Sequence, residues 1–163
     1  MKRKRLDEII RVDHAGEHGA IAIYKGQLSA LNLIGDKKTS FIISEMAEGE
    51  KVHAKEFDRL VKERKTRPTA LMPLWNLAGY TLGVMSVIGG KDSVMACTEA
   101  VEEIIDKHYS DQIEELESSG QEKDILKTIK KFHAEEVEHE KIAKNEISEN
   151  TPALNAFKKL VGI

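Results

Sequence analysis

Six residues in this chain carry metal-binding chemistry at helical spacing: Glu17, the pair Glu50-Lys-Val-His53, Glu102, and the pair Glu136-Val-Glu-His139. In each Glu-x-x-His pair the i, i+3 spacing puts a carboxylate and an imidazole on one helix face, one turn apart, where they can share an ion. Each of the four Glu falls where an apolar stripe calls for Leu. An inward carboxylate is costly to ionise unless something compensates its charge. Four of them aimed at one axis repel each other unless cations lie between them. Two helices giving one Glu each, and two giving Glu-x-x-His, form the donor set of di-iron or di-manganese carboxylate bundles. Four carboxylates and two imidazoles without a thiolate suit iron or manganese better than zinc or copper. The charges of two divalent ions balance the four carboxylates, so a filled site is neutral and cheap to bury. Bundle symmetry assigns Glu50 and Glu136 as bridging ligands, with Glu17/His53 and Glu102/His139 as terminal ones.

The pattern is duplicated. Glu17 and Glu50 are 33 residues apart, and Glu102 and Glu136 are 34 apart. Tyr24 and Gln27 follow Glu17 by seven and ten residues, and Tyr109 and Gln112 follow Glu102 by the same steps, in a chain with only three Tyr and three Gln. Ala15/Ala100 and Leu31/Leu116 keep the register. The two halves read as copies of one helical hairpin, each bringing half of a site. Tyr24 and Tyr109 are inward, and serve either as hydrogen-bond partners near the metals or as core.

Other chemistry-bearing residues receive plainer readings. Asp13, in phase with Glu17, is a candidate partner for a ligating imidazole. His14 and His18 are one turn apart, but His18 falls off the inward phase, so neither is counted as a ligand. His108 reads as a packed or surface histidine and not a catalytic one, Cys97 as a small core residue, and Glu114-Glu-Leu-Glu117 as a solvated helix end. A Gly-rich phosphate loop is missing, so a nicotinamide donor would bind without a Rossmann unit.

These residues need long helices to position them. Stripes at steps of three and four run through Ile10, Asp13, Glu17, Ile21, Tyr24, Leu28 and Leu31, and through Ile42, Met46, Glu50, His53, Phe57 and Leu60. Two more run through Met95, Thr98, Glu102, Ile105, Tyr109, Gln112 and Leu116, and through Ile125, Ile129, Phe132, Glu136, His139 and Ala143. Period-two alternation is not sustained anywhere. Gly35-Asp36 and Ser118-Ser-Gly120 punctuate the hairpins, and Thr151-Pro152 opens a short C-terminal helix. The expected fold is all-α, a ferritin-like four-helix bundle in a single domain over 1–163. It comprises a hairpin at 6–65, an apolar crossover at 68–90, a second hairpin at 91–147 and a helix at 151–161.

At 163 residues, with 25 Lys+Arg against 28 Asp+Glu, the chain suits one core and shows none of the basic excess of a nucleic-acid binder. A single cysteine excludes an internal disulfide and a Cys-rich zinc or iron–sulfur site. The stretch from Pro68 to Gly90 carries no charge. Pro73, Asn76, Thr81, Ser86 and four glycines make it a poor membrane span. It reads as a buried crossover or a lipid-contacting element, and Trp75 and Tyr80 suit an interface.

Four blocks carry a resemblance: Arg11-Val-Asp-His-Ala-Gly-Glu17, Arg67-Pro-Thr-Ala-Leu-Met-Pro-Leu-Trp-Asn76, Met95-Ala-Cys-Thr-Glu-Ala-Val-Glu-Glu103 and Lys130-Lys-Phe-His-Ala-Glu-Glu-Val-Glu-His139. Over residues 8 to 160 the chain resembles the 5-demethoxyubiquinone hydroxylase family of ubiquinone biosynthesis. The family's six ligand positions fall on Glu17, Glu50, His53, Glu102, Glu136 and His139. The resemblance implies a non-haem di-iron monooxygenase that hydroxylates the ring of a polyprenylated demethoxyquinone, the penultimate step before the final O-methylation. It also implies two iron ions, O2 as co-substrate, and electrons from NADH or another reductant.

Further implications are a peripheral place on the membrane and a lipid-binding accessory protein in some organisms; self-association is left open. The expected location is the cytoplasmic face of a bacterial inner membrane, or the matrix side of the mitochondrial one for a mature eukaryotic form. Leu71, Met72, Leu74, Trp75, Leu77 and Leu82 then line the access path of the prenyl tail or meet lipid. Two rival readings share parts of the pattern: a ferroxidase or peroxide-reducing relative of ferritin and rubrerythrin, and a non-catalytic helical interaction module.

Overall fold

A computed structural model of the chain describes residues 2–147 and 152–161. Six helices follow one another: α1 (Arg3–Ile34), α2 (Lys37–Arg64), α3 (Met72–Ile88), α4 (Gly90–Ser119), α5 (Lys123–Glu146) and α6 (Pro152–Val161). No strand occurs among the described residues, so the all-α class is as expected. Thr151, expected to head the last helix, lies outside the described residues. The chain divides into two compact units, Arg3–Val94 and the part from Met95 onward, with α4 running from one into the other.

In the first unit α1 packs against both α2 and α3. Gly35 takes φ 78°, the left-handed conformation that ends α1 without steric cost. Asp36 then caps α2, its carboxylate accepting from the Thr39 N–H at 3.0 Å. This tight turn makes α1 and α2 antiparallel, which sets Glu17 opposite Glu50 and His53. The left-handed Lys65 closes α2, its N–H donating to the Lys62 and Val61 carbonyls. The linker that follows is tied back to α1 at two points. Arg11 Nε donates to the Arg67 carbonyl at 2.8 Å, and Thr66 Oγ1 donates to Asp7 Oδ1 at 2.7 Å.

The crossover expected at 68–90 is mostly the helix α3. Its glycines do not break it, because they are the points where it meets α1. A Cβ on Gly83 would lie 2.0 Å from the Ile23 carbonyl oxygen, and one on Gly26 would lie 2.1 Å from that of Tyr80. Gly79 faces Gly19 and Ile23, so residue numbers rise together along the contact and the two helices run parallel. Pro73 sits in the first turn, where a missing N–H costs nothing. Gln27, buried on α1, donates to Ser86 Oγ at 3.4 Å and to the Val94 carbonyl at 3.3 Å, fixing the far end of α3.

The outer face of α3 is apolar and exposed: Leu71, Leu74, Trp75, Leu77, Met85 and Ile88 are all more than half accessible. The crossover is therefore not buried along its length. No helix among the described residues is long and apolar enough to cross a membrane.

In the second unit α4 buries Met95, Thr98, Glu102, Ile105, Tyr109, Gln112 and Leu116, the stripe read from the sequence. Gly120, at φ 62°, turns the chain into α5, which buries Ile125, Ile129, Phe132, Glu136 and Ala143. Lys130 pairs with Glu117 across the hairpin, and His133 Nε2 lies 2.8 Å from Asp106 Oδ1. Lys158 of α6 reaches Glu103 at 2.6 Å and Glu99 at 3.4 Å. The bond to Glu103, aided by the nearby Glu99, raises the ammonium pKa above its ordinary value.

Candidate metal centre

Each unit carries one trio of inward candidate ligands. In the first, α1 brings Glu17 while α2 brings Glu50 and His53, and all three are buried. His53 turns Nδ1 toward the carboxylates, 3.5 Å from Glu17 Oε2 and 3.9 Å from Glu50 Oε2. In the second, α4 brings Glu102, and α5 brings Glu136 and His139. Both carboxylates are buried, and the imidazole side chain is 13% exposed. His139 also turns Nδ1 inward, 3.6 Å from Glu136 Oε2. Within each trio one ligand atom per residue lies within 4.8 Å of the others.

These separations fit a shared cation. Two ligands each about 2.1 Å from a first-row metal stand about 3 to 4 Å apart, depending on the angle between them. The spacings of 3.5–3.9 Å fall in that range and exceed a good N–H···O bond. The chemistry agrees with the spacing. Two buried carboxylates and an imidazole brought this close form a donor set whose ionised form a divalent cation would neutralise.

The chain matches the family model described as "Ubiquinone biosynthesis protein COQ7" over residues 4–163. It belongs to this family. A relative in Dictyostelium discoideum, called NADPH-dependent 3-demethoxyubiquinone 3-hydroxylase, mitochondrial, is 44% identical over all of this chain and 74% of its own length. The Homo sapiens relative of the same name is also 44% identical, over 99% of this chain and 74% of its own. One from Rhodospirillum rubrum, called 3-demethoxyubiquinol 3-hydroxylase, is 42% identical over 91% of this chain and 68% of its own. The family named by these matches is the one that the four sequence blocks resemble.

The remaining sequence candidates fall as follows. Asp13 is buried one turn before Glu17, and Tyr24 and Tyr109 are buried two turns beyond Glu17 and Glu102. The Tyr24 hydroxyl lies 4.0 Å from Met46 Sδ, a weak acceptor. Cys97 is buried, as a core residue should be, and His108 is exposed. Ser110, His133 and Asp106 come together on α4 and α5, but serine and aspartate meet the same nitrogen, Nε2. No proton relay can pass through one ring atom, so this is a surface tie and not a nucleophilic triad.

Sequence reasoning missed one grouping. Asp58 of α2 accepts from both His14 and His18 of α1, at 3.0 and 3.1 Å. Burial lowers the His14 pKa, with the neighbouring His18 adding to it against the pull of Asp58. Burial pushes the Asp58 carboxyl up, but its bonds to the two histidines outweigh that and hold it below the ordinary range. The one signal in the sequence is the i, i+4 spacing of the histidines, because Asp58 is 40 residues away from His18.

Proposed function

We propose that this protein is a di-iron monooxygenase that hydroxylates the ring of a polyprenylated demethoxyubiquinone or its quinol, the penultimate step of ubiquinone biosynthesis. One observation carries the reading: two Glu–Glu–His trios with buried carboxylates, each imidazole turning Nδ1 toward a neighbouring Glu, in a chain that belongs to a ubiquinone biosynthesis family. In this reading the chain is a single ferritin-like domain. Glu17, Glu50, His53, Glu102, Glu136 and His139 would be the residues that hold two iron ions. When bound, two ferrous ions supply O2-activating chemistry and two electrons.

The protein's own residues do the rest. The Glu carboxylates neutralise the ions and let them sit away from bulk water. The imidazoles would offer Nδ1, the nitrogen nearest the carboxylates, and Tyr24 and Tyr109 steady the helices that carry them from within. One oxygen atom of O2 enters the ring as a hydroxyl. The other leaves as water, taking up two protons and two electrons from NADH or another reductant. The Dictyostelium and human relatives are named as NADPH-dependent, which supports a nicotinamide donor.

The exposed apolar face of α3 supports a peripheral place on a membrane, where a long prenyl tail can pass from lipid to the site without crossing water. The location proposed is the cytoplasmic face of a bacterial inner membrane, or the matrix side in a mitochondrion, as the names of the eukaryotic relatives suggest for those proteins.

The decisive experiment is a single turnover. Anaerobic diferrous protein is mixed with a demethoxyquinone analogue and then with 18O2, and the quinone is analysed by mass spectrometry. One labelled oxygen in the ring is expected. Oxidation of the iron with an unlabelled quinone would instead make the protein a ferroxidase. Glu17→Ala and His139→Ala should each lose both iron and turnover, and near-normal turnover in either would break the ligand assignment.

A further inference from the structure

A second group of ligating side chains stands beside Glu17 and is not used by the six-residue set. His14 and His18 lie one turn apart on α1, with ring centroids 4.6 Å apart and planes tilted by 56°. Both aim Nε2 at Oδ1 of Asp58 on α2, at 3.0 and 3.1 Å. One ligand atom from each of the three lies within 4.8 Å of the others. The His14 side chain is only 8% exposed, while those of His18 and Asp58 are 29% and 44% exposed. The group is thus anchored on its inner side and open to solvent on its outer side.

Two imidazoles and one carboxylate on a common face form a recurrent donor set for divalent first-row metals. Ligands at right angles, each about 2.1 Å from an ion, are about 3.0 Å apart, which matches both nitrogen-to-oxygen distances here. The open side leaves room for the water molecules that would complete the coordination. The two helices are the same pair that carries the first trio: His18 adjoins Glu17, and Asp58 follows His53 by five residues.

We propose that His14, His18 and Asp58 form an exchangeable site for a divalent transition-metal ion that clips α1 to α2 next to the Glu17/Glu50/His53 trio. The ion takes the lone pair of each Nε2, and the proton now shared with Asp58 moves to Nδ1 of the same ring. An ion held there joins the helices at a point where hydrogen bonds alone now do so. The site does not depend on the proposed catalytic metals.

The test is calorimetric titration of Zn2+ into the iron-loaded full chain, with released iron measured in parallel. The wild type should take up one further Zn2+ per chain without releasing iron, and its Tm should rise. His18→Ala and Asp58→Asn should each weaken that uptake by at least about ten-fold, since losing a ligand costs no less than losing an outer partner of one. Both positions are part-exposed, so the variants should fold, with far-UV circular dichroism as the check. In a Glu50→Ala/Glu136→Ala protein, which lacks a ligand from each trio, the same Zn2+ site should persist. If Zn2+ enters only as iron leaves, or binds equally well to both site variants, the proposal is overturned. Loss of iron from the double variant with Zn2+ uptake retained would separate this site from the catalytic reading.

Discussion

At the residue scale the protein places ionisable groups where a helix bundle ordinarily places hydrocarbon. Glu50 is fully buried, and its neighbour in the trio, Glu17, is nearly so. Each lies in a stripe that also holds ordinary core residues, Met46 and Phe57 on α2 and Tyr24 on α1. Burying two carboxylates around one imidazole is unfavourable unless a cation compensates their charge, so a metal-free form would carry that cost. Glu50→Gln keeps the shape and removes the charge. The metal-free variant should therefore be more stable than the metal-free wild type, by about 1 to 3 kcal/mol in urea unfolding. It should also bind less iron. A destabilised metal-free variant would mean that the Glu50 charge is already well compensated by the protein itself.

At the element scale the decisive contact is the crossing of α1 and α3. Three glycines, Gly26, Gly79 and Gly83, let the two backbones touch, with added Cβ atoms at 26 and 83 falling on carbonyl oxygens that cannot swing aside; Gly19 instead makes room for the Trp75 ring. Gly83→Ala or Gly26→Ala should cost about 1 to 3 kcal/mol or more, the range of overpacking. Gly16 supplies the internal control. It lies on the same helix, a Cβ there meets nothing within 4 Å, and alanine is the better helix former by about 1 kcal/mol. Gly16→Ala should leave the Tm unchanged or raise it, while Gly83→Ala lowers it. Equal effects at the two positions would show that helix propensity, and not the close crossing, governs. The same geometry explains why α3 was legible only as a crossover: its glycines look like helix breakers until the partner that needs them is in place.

At the scale of the whole molecule the chain has an apolar surface that its own fold leaves uncovered. Leu71, Leu74 and Leu77 are each more than 60% exposed and bounded by no charged residue between Arg67 and Lys91. Contiguous exposed patches of this kind mark interaction sites. Leu74→Glu/Leu77→Glu should reduce co-sedimentation with anionic phospholipid vesicles several-fold, because each change replaces buried apolar area by a charge in the lipid. Turnover of a prenylated demethoxyquinone should fall, while that of a short-chain analogue in detergent-free buffer should persist. Full vesicle binding by the double variant would remove α3 from the membrane contact.

What the sequence determined by itself was periodic and local. The 3.6-residue repeat placed four long helices and their inward faces. The Glu-x-x-His spacing placed each candidate ligand pair on one turn, and the copied register of Tyr24/Tyr109 and Gln27/Gln112 pointed to a hairpin that occurs twice. These features survive because helix geometry maps sequence steps directly onto angles. The tertiary structure decided what depends on residues far apart in the chain. It made the crossover a helix parallel to α1, since only the facing carbonyls reveal why its glycines are there. It turned Nδ1 of His53 and His139 to the carboxylates, a choice made by side-chain packing. And it brought Asp58 to His14 and His18 through the antiparallel turn at Gly35-Asp36, a meeting that no periodicity within either helix could announce.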